Sequence, residues 1–311
     1  WGAPILLEDF QPGMLAVHRP DGSLNEVTGS AGNDVYRGHR LPQAMVGQYF
    51  YGEPVARIVR QINPIVTEGI TQLHNYYQPY KSEFLKSTDP LFRPVDLTTA
   101  PDGTLYITDM YHGIIQEGQW VQKGSYLRTK IEQYQLDKIV GMGRIWRVTY
   151  EGISRDTTMP HMAEKSATAL VQDLTHPNGW WRDMAQQTLV LRQDSSVKEA
   201  LEKMVMQPEN LYARYHALWT LEGLNELSAD LCLKLFRDEN PNMRKMAIRA
   251  SESLYKAGNK NLADEYVRLM KDKDYQVVMQ AILTANILQI PGAKNAIKQA
   301  MAHYPQRGVQ L

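Results

Sequence analysis

The feature that constrains this chain most is a segment that returns in its second half. Residues 178–189, 210–221, 240–251 and 274–285 each open on Asn or Asp, and an alanine follows at Ala185, Ala217, Ala247 and Ala281. These alanines recur about every 30 to 34 residues, the period of stacked helix pairs. The opening Asn or Asp is a helix cap, because its side-chain oxygen can accept a backbone N–H of the first turn. In the first three copies an arginine precedes the alanine by three places, at Arg182, Arg214 and Arg244; in the fourth, Val278 stands there. Partner helices are expected over 162–174, 197–206, 228–236, 262–270 and 293–303, where apolar residues recur at three and four. A unit this small cannot cover its own apolar face, so at least three must stack. Trp180, Trp181, Trp219, Tyr212 and Tyr275 fall at repeat starts or inner faces, where they serve core packing or docking in one reading and a ligand surface in another.

The first half has another texture. Up to about Gly152 the apolar residues alternate or come in short runs broken by Gly, Pro, Asn and Asp, and Pro-Asp-Gly occurs at 20–22 and at 101–103. That is turn chemistry between short strands. Strands are expected over 48–52, 55–59, 95–99, 105–109 and 144–150, all rich in β-branched and aromatic residues. Residues 92–148 form the unit: strand, Pro-Asp-Gly turn, strand, a long excursion over 111–143, then a strand ending Trp-Arg-Val-Thr-Tyr. Gly141-Met-Gly143 is a lead-in to that strand and lacks the third glycine of a nucleotide loop. Strands this short need a second layer, which radial packing of blades supplies, with the fourth strand coming from elsewhere. The domains are therefore expected at 1–152 (propeller blades), 153–161 (linker) and 162–311 (helical array).

Composition narrows the function. Basic and acidic residues balance at 34 each, which removes the electrostatic term that nucleic-acid or anionic-membrane binding draws on. No apolar run reaches the roughly 18 residues of a membrane span. Cys232 is the single cysteine, so an intrachain disulfide, a Cys-rich zinc site and a covalent haem in this chain are excluded. The chain opens at Trp1 with no leader-like run, so a signal peptide or a larger N-terminal portion is expected ahead of it, and export is not excluded. Walker, His-Glu-x-x-His and Gly-x-Ser-x-Gly motifs do not occur.

The runs at 34–42, 47–52, 93–109 (Arg-Pro-Val-Asp-Leu-Thr-Thr-Ala-Pro-Asp-Gly-Thr-Leu-Tyr-Ile-Thr-Asp) and 143–148 resemble the last blades of glucose/sorbosone dehydrogenase propellers. They are more similar still to the membrane-associated bacterial branch in which HEAT repeats follow the propeller, often with a haem c domain. The repeat in the second half looks like HEAT repeats. The fold implied is a multidomain all-β plus all-α chain, roughly two to three closing blades of a β-propeller followed by a HEAT-type α-solenoid. The resemblance implies pyrroloquinoline quinone (PQQ) and calcium as cofactors, sugar or alcohol oxidation, and electron transfer to a cytochrome c domain or protein. It also implies a periplasmic or cell-surface location. Envelope-complex subunits are the alternative partners to a cytochrome, and a third possibility is a separate chain that supplies the remaining blades, since an incomplete blade edge would otherwise invite aggregation. The family's catalytic histidine lies on an early blade outside these motifs, so no catalytic residue is assigned.

Soluble members hold the quinone carboxylates with Arg-x-Arg-Asp. Here that stretch reads Arg93-Pro-Val-Asp96, so Arg93 and Asp96 match and Val95 offers no donor where a guanidinium would stand. Arg37, His39 and Arg40 share a polar turn that could face the same mouth, and Asp109, at a strand end, is the candidate calcium ligand. Each has a structural alternative: an ion pair for Arg93, a turn cap for Asp109, solvated charge for the loop. His112 is a candidate general base by position; His18, His74 and His161 are isolated. Two readings stand open: the C-terminal portion of a PQQ-dependent dehydrogenase, or a non-catalytic propeller–HEAT scaffold for protein or glycan binding in a cell-envelope complex, toward which Val95 points.

Overall fold

The computed structural model describes residues 29–114, 122–125 and 128–311. The Pro-Asp-Gly turn at 20–22 and His18 lie outside the described residues. The chain forms two compact units, one of Trp1–Ile65 and Gln72–Thr158, the other of Val66–Thr71 and Met159–Leu311.

β1 (Ala31–Val35), β2 (Tyr49–Glu53), β3 (Ile58–Thr67) and β4 (Ile70–Asn75) form a sheet in that order, which belongs to the first unit except for the β3–β4 tip at Val66–Thr71, and β5 (Leu85–Lys86) pairs with β3. A second, antiparallel sheet takes the order β6 (Pro94–Thr99), β7 (Leu105–Asp109), β8 (Arg144–Val148). A helix, α1 (Arg128–Tyr134), lies in the excursion between β7 and β8. Alternation along β7 buries Leu105, Ile107 and Asp109. Leu105 and Ile107 join Tyr36, Leu41, Phe50, Val59 and Leu97 in one core shared by both sheets. Gly52 matters to that packing, since a Cβ there would stand 2.6 Å from the carbonyl oxygen of Pro94 at the start of β6.

Residues 55–57 are not extended as the sequence suggested. The Glu53 carboxylate accepts the N–H of Ala56, and Arg57 is left-handed at φ 56°, so a turn delays β3 to Ile58. The Pro101–Gly103 turn forms as read, with Gly103 N donating to Ala100 O at 3.0 Å and Gly103 at φ 81°.

The second unit is helical: α2 (Ala167–Asp173), α3 (Gly179–Arg192), α4 (Lys198–Met206), α5 (Leu211–Gly223), α6 (Ala229–Leu235), α7 (Pro241–Ala250), α8 (Glu252–Lys256), α9 (Ala263–Leu269), α10 (Tyr275–Ile287), α11 (Ala293–His303) and α12 (Arg307–Gln310). Asn178, Asn210, Asn240 and Asp274 cap α3, α5, α7 and α10, each accepting a first-turn N–H at 2.8–3.1 Å. Those four helices touch in chain order, and α2, α4, α6 and α9 pack each on the one that follows it. Ala185, Ala217, Ala247 and Ala281 are fully buried in a continuous core, where only a small side chain lets neighbouring helices approach.

The repeated arginine ties one pair to the next. Arg244 makes a two-point ion pair with Asp272 at 2.8 and 2.7 Å; Arg214 pairs with Asp238 and donates to Val205 O. Arg182 donates to the carbonyls of His176 and Pro177 and lies over the Tyr212 ring. Cys232 is buried on α6, where the apolar surroundings push its thiol up to about 12. Among the described residues no helix is long and apolar enough to cross a membrane.

Candidate functional site

Asp109 closes β7, and the β7–β8 register sets it opposite Arg144. Its side chain is fully buried. One oxygen accepts the backbone N–H groups of Arg93 at 2.7 Å and Tyr111 at 2.8 Å; the other accepts the indole N–H of Trp146 at 3.0 Å. Around this carboxylate, Tyr111 takes a left-handed backbone (φ 43°) and Arg144 stacks its guanidinium 3.4 Å over the Tyr111 ring. Arg93, wholly buried, donates Nη1 to Pro54 O at 2.8 Å, Nε to His112 O at 3.0 Å and Nη2 to Gly113 O at 3.2 Å. The ring Nδ1 of His112 meets Ile114 O at 2.5 Å, and since a carbonyl only accepts, that nitrogen carries the proton.

The other candidates gather at the opposite end of the hairpin. Arg37 N donates to Thr99 Oγ1 at 3.2 Å, and Asp34 Oδ2 accepts from the N–H of Thr99 at 2.5 Å and from its hydroxyl at 2.6 Å. Tyr36 donates its hydroxyl to Gly103 O at 2.6 Å while accepting from Arg40 N and Leu41 N, which fastens the 36–41 loop onto the Pro-Asp-Gly turn. His39 Nε2 lies 3.6 Å and Arg40 Nη2 3.7 Å from Asp156 Oδ2. Burial, with Arg40 adding to it, lowers the His39 pKa against the opposing pull of Asp156. Asp102 accepts from the N–H and hydroxyl of Thr104 and from the Tyr106 hydroxyl, stiffening the turn beneath.

Arg93 stands just before β6 and Thr99 ends it, a span of roughly 20 Å at about 3.4 Å per residue. Arg93 and Asp109 therefore share one end, whereas Arg37, His39 and Arg40 share the other. Asp96 is exposed between them, next to a register shift that leaves Val95 as the extra residue of a bulge. His74 and His161 are exposed, beside Gln72 and Glu164 respectively.

The groups at the Asp109 end do not suit the quinone and calcium that the resemblance implies. The N–H groups of Arg93, Tyr111 and Trp146 all point at the Asp109 carboxylate, as they would at an anion, whereas a calcium ligand directs free lone pairs at a cation. The Arg93 fork is inward, on backbone carbonyls. Among the described residues no three His, Cys, Asp or Glu side chains stand together in a way that could hold a metal ion. Sequence reasoning named neither Tyr111, Arg144 and Trp146 as a group nor Asp156 as the partner of His39 and Arg40; the only local signal was Arg144-x-Trp146, two residues that share one face of a strand.

Fold and sites together define a two-unit chain, antiparallel sheets and then a line of helix pairs, whose polar clusters mostly brace its own loops. The family described as a domain of unknown function (DUF7133) matches residues 6–152, the sheet-bearing part of the chain. No curated protein matches the chain.

Proposed function

We propose that the chain is a non-catalytic binding scaffold. In this reading the two sheets are closing blades of a propeller of the glucose/sorbosone dehydrogenase type, the helix pairs are a HEAT-type array, and together they hold a protein or glycan in a cell-envelope complex. The observation that carries it is the employment of Arg93 and Asp109: both are buried, and their polar atoms serve the backbone and Trp146. Val95 supports it from the sequence side, because an apolar side chain stands where the resemblance calls for a second guanidinium. The buried alanines and the chain-order packing of α3, α5, α7 and α10 support the array, whose stacked pairs offer an extended surface.

The competing reading is a PQQ-dependent sugar or alcohol dehydrogenase feeding a cytochrome, and cofactor titration separates the two. Added to the whole protein with calcium, PQQ is expected to give no saturable change in its visible absorbance and no dye-linked oxidation of a sugar and alcohol panel. Saturable binding accompanied by dye reduction that chelation abolishes would overturn the scaffold.

A further inference from the structure

Arg144 is held in an unusual way. Its guanidinium lies 3.4 Å over the Tyr111 ring and 5.5 Å from the Trp146 ring, yet the carboxylate it faces among the described residues, Asp109, is 3.9 Å from Nε and outside hydrogen-bond reach. Among the described residues its side chain makes no hydrogen bond and is 37% exposed. Stacking thus fixes the plane of the guanidinium and leaves its N–H fork open to solvent, an arrangement suited to a planar two-oxygen acceptor. Beside it Trp146 is 44% exposed, and the bond from its indole N–H to Asp109 locks the ring's orientation. Asp109 also holds Tyr111 in the left-handed backbone that a tyrosine seldom adopts, and strain of this kind collects where a side chain must be aimed.

We propose that Tyr111, Arg144 and Trp146 form a binding site for a carboxylate-bearing sugar, a uronate unit of a glycan. The carboxylate takes the Arg144 fork, and the apolar C–H face of the pyranose lies on the exposed indole. A peptide carboxylate suits the site less well, because peptide termini are captured by backbone N–H groups and those of Arg93 and Tyr111 are already bound to Asp109. The inference deepens the scaffold reading and rests on it, since it names the ligand class of one surface of that scaffold.

Isothermal titration of the whole protein with tetragalacturonate tests it, alongside the carboxyl-reduced tetrasaccharide and a tetraglutamate peptide. Arg144→Gln and Arg144→Lys, checked for native circular dichroism, are suitable variants because the Arg144 side chain is partly exposed and no side-chain hydrogen bond among the described residues is lost. Tetragalacturonate is expected to bind; reducing its carboxylates, or Arg144→Gln, should weaken binding at least about tenfold, and lysine should restore only part because it lacks the fork. Absence of tetragalacturonate binding, equal binding by Arg144→Gln or by the reduced sugar, or tighter binding of the peptide would each overturn the site. These outcomes are distinct from those of the PQQ titration, where quinone-dependent turnover sinks the scaffold whatever the sugar does.

Discussion

His39, in the loop after β1, and Asp109, at the end of β7, show how differently two polar residues can be used. Asp109 accepts three N–H donors and serves as a fixed acceptor. His39 sits among Arg40, Asp156 and the Pro-Asp-Gly turn, so close that a Cβ on Gly103 would stand 2.6 Å from its ring. Burial first, then Arg40, lowers its pKa from the ordinary 6.5, while the carboxylates of Asp156 and Asp102 pull the other way. The unfolded chain takes up this proton at a higher pH than the folded one does. Stability therefore carries a contribution that is present above about pH 6.5 and is lost as the pH falls through the lowered value. The urea midpoint of the first unit, followed in the whole protein by hydrogen exchange of residues 94–109, should drop between pH 7.5 and 5.5 by more in the native protein than in His39→Gln. Equal drops would show that His39 does not titrate in this window.

Elements whose signals are local were legible in the sequence. The caps of α3, α5, α7 and α10 were, because Asn or Asp at a cap bonds an N–H two or three residues on. So were β2, β6, β7 and β8, whose alternation is local too. The β3–β4 hairpin was not: it turns at Glu68-Gly69, with φ of 53° and 82°, and glutamate is a poor advertisement for a turn usually marked by Asn-Gly or Asp-Gly. Nor were the sites, since Asp109 meets Trp146 and Arg144 only through strand register across a long excursion. The arginines at 182, 214 and 244 were visible as a periodic feature, but only the structure shows that Asp238 and Asp272 answer two of them. Asp272→Ala strands an Arg244 that is 4% exposed, with only carbonyl partners among those described, and should cost about 3 kcal/mol. Arg237→Ala breaks an ion pair to Glu265 of similar length, 2.8 Å, but at a 57% exposed side chain, and should cost under about 1 kcal/mol. Urea denaturation of the two variants distinguishes them; comparable losses would mean that burial does not govern the ladder.

On the scale of the whole chain, the two units stabilise themselves by different means. The first unit's main core is a small set of side chains between two sheets, recruited from positions as distant as Tyr36 and Ile107, and it forms only once long-range strand pairing is in place. The second unit's core runs without a break from Leu170 to Val309, and each helix pair adds to it chiefly through its neighbours. Among the described residues none belongs to both cores. Cooperativity requires shared burial, so a chain built this way should not unfold as one unit. Hydrogen exchange of the whole protein across a urea series should show β6 and β7 losing protection at a lower concentration than α5 and α7, because fewer buried side chains stand behind each strand than behind each central helix. Protection should also fall off toward α2 and α11, which have neighbours on one side of the line, before it does at α5 and α7. Coincident midpoints for all these segments would mean that the two cores are energetically one, and the division into separately stabilised units would have to be abandoned.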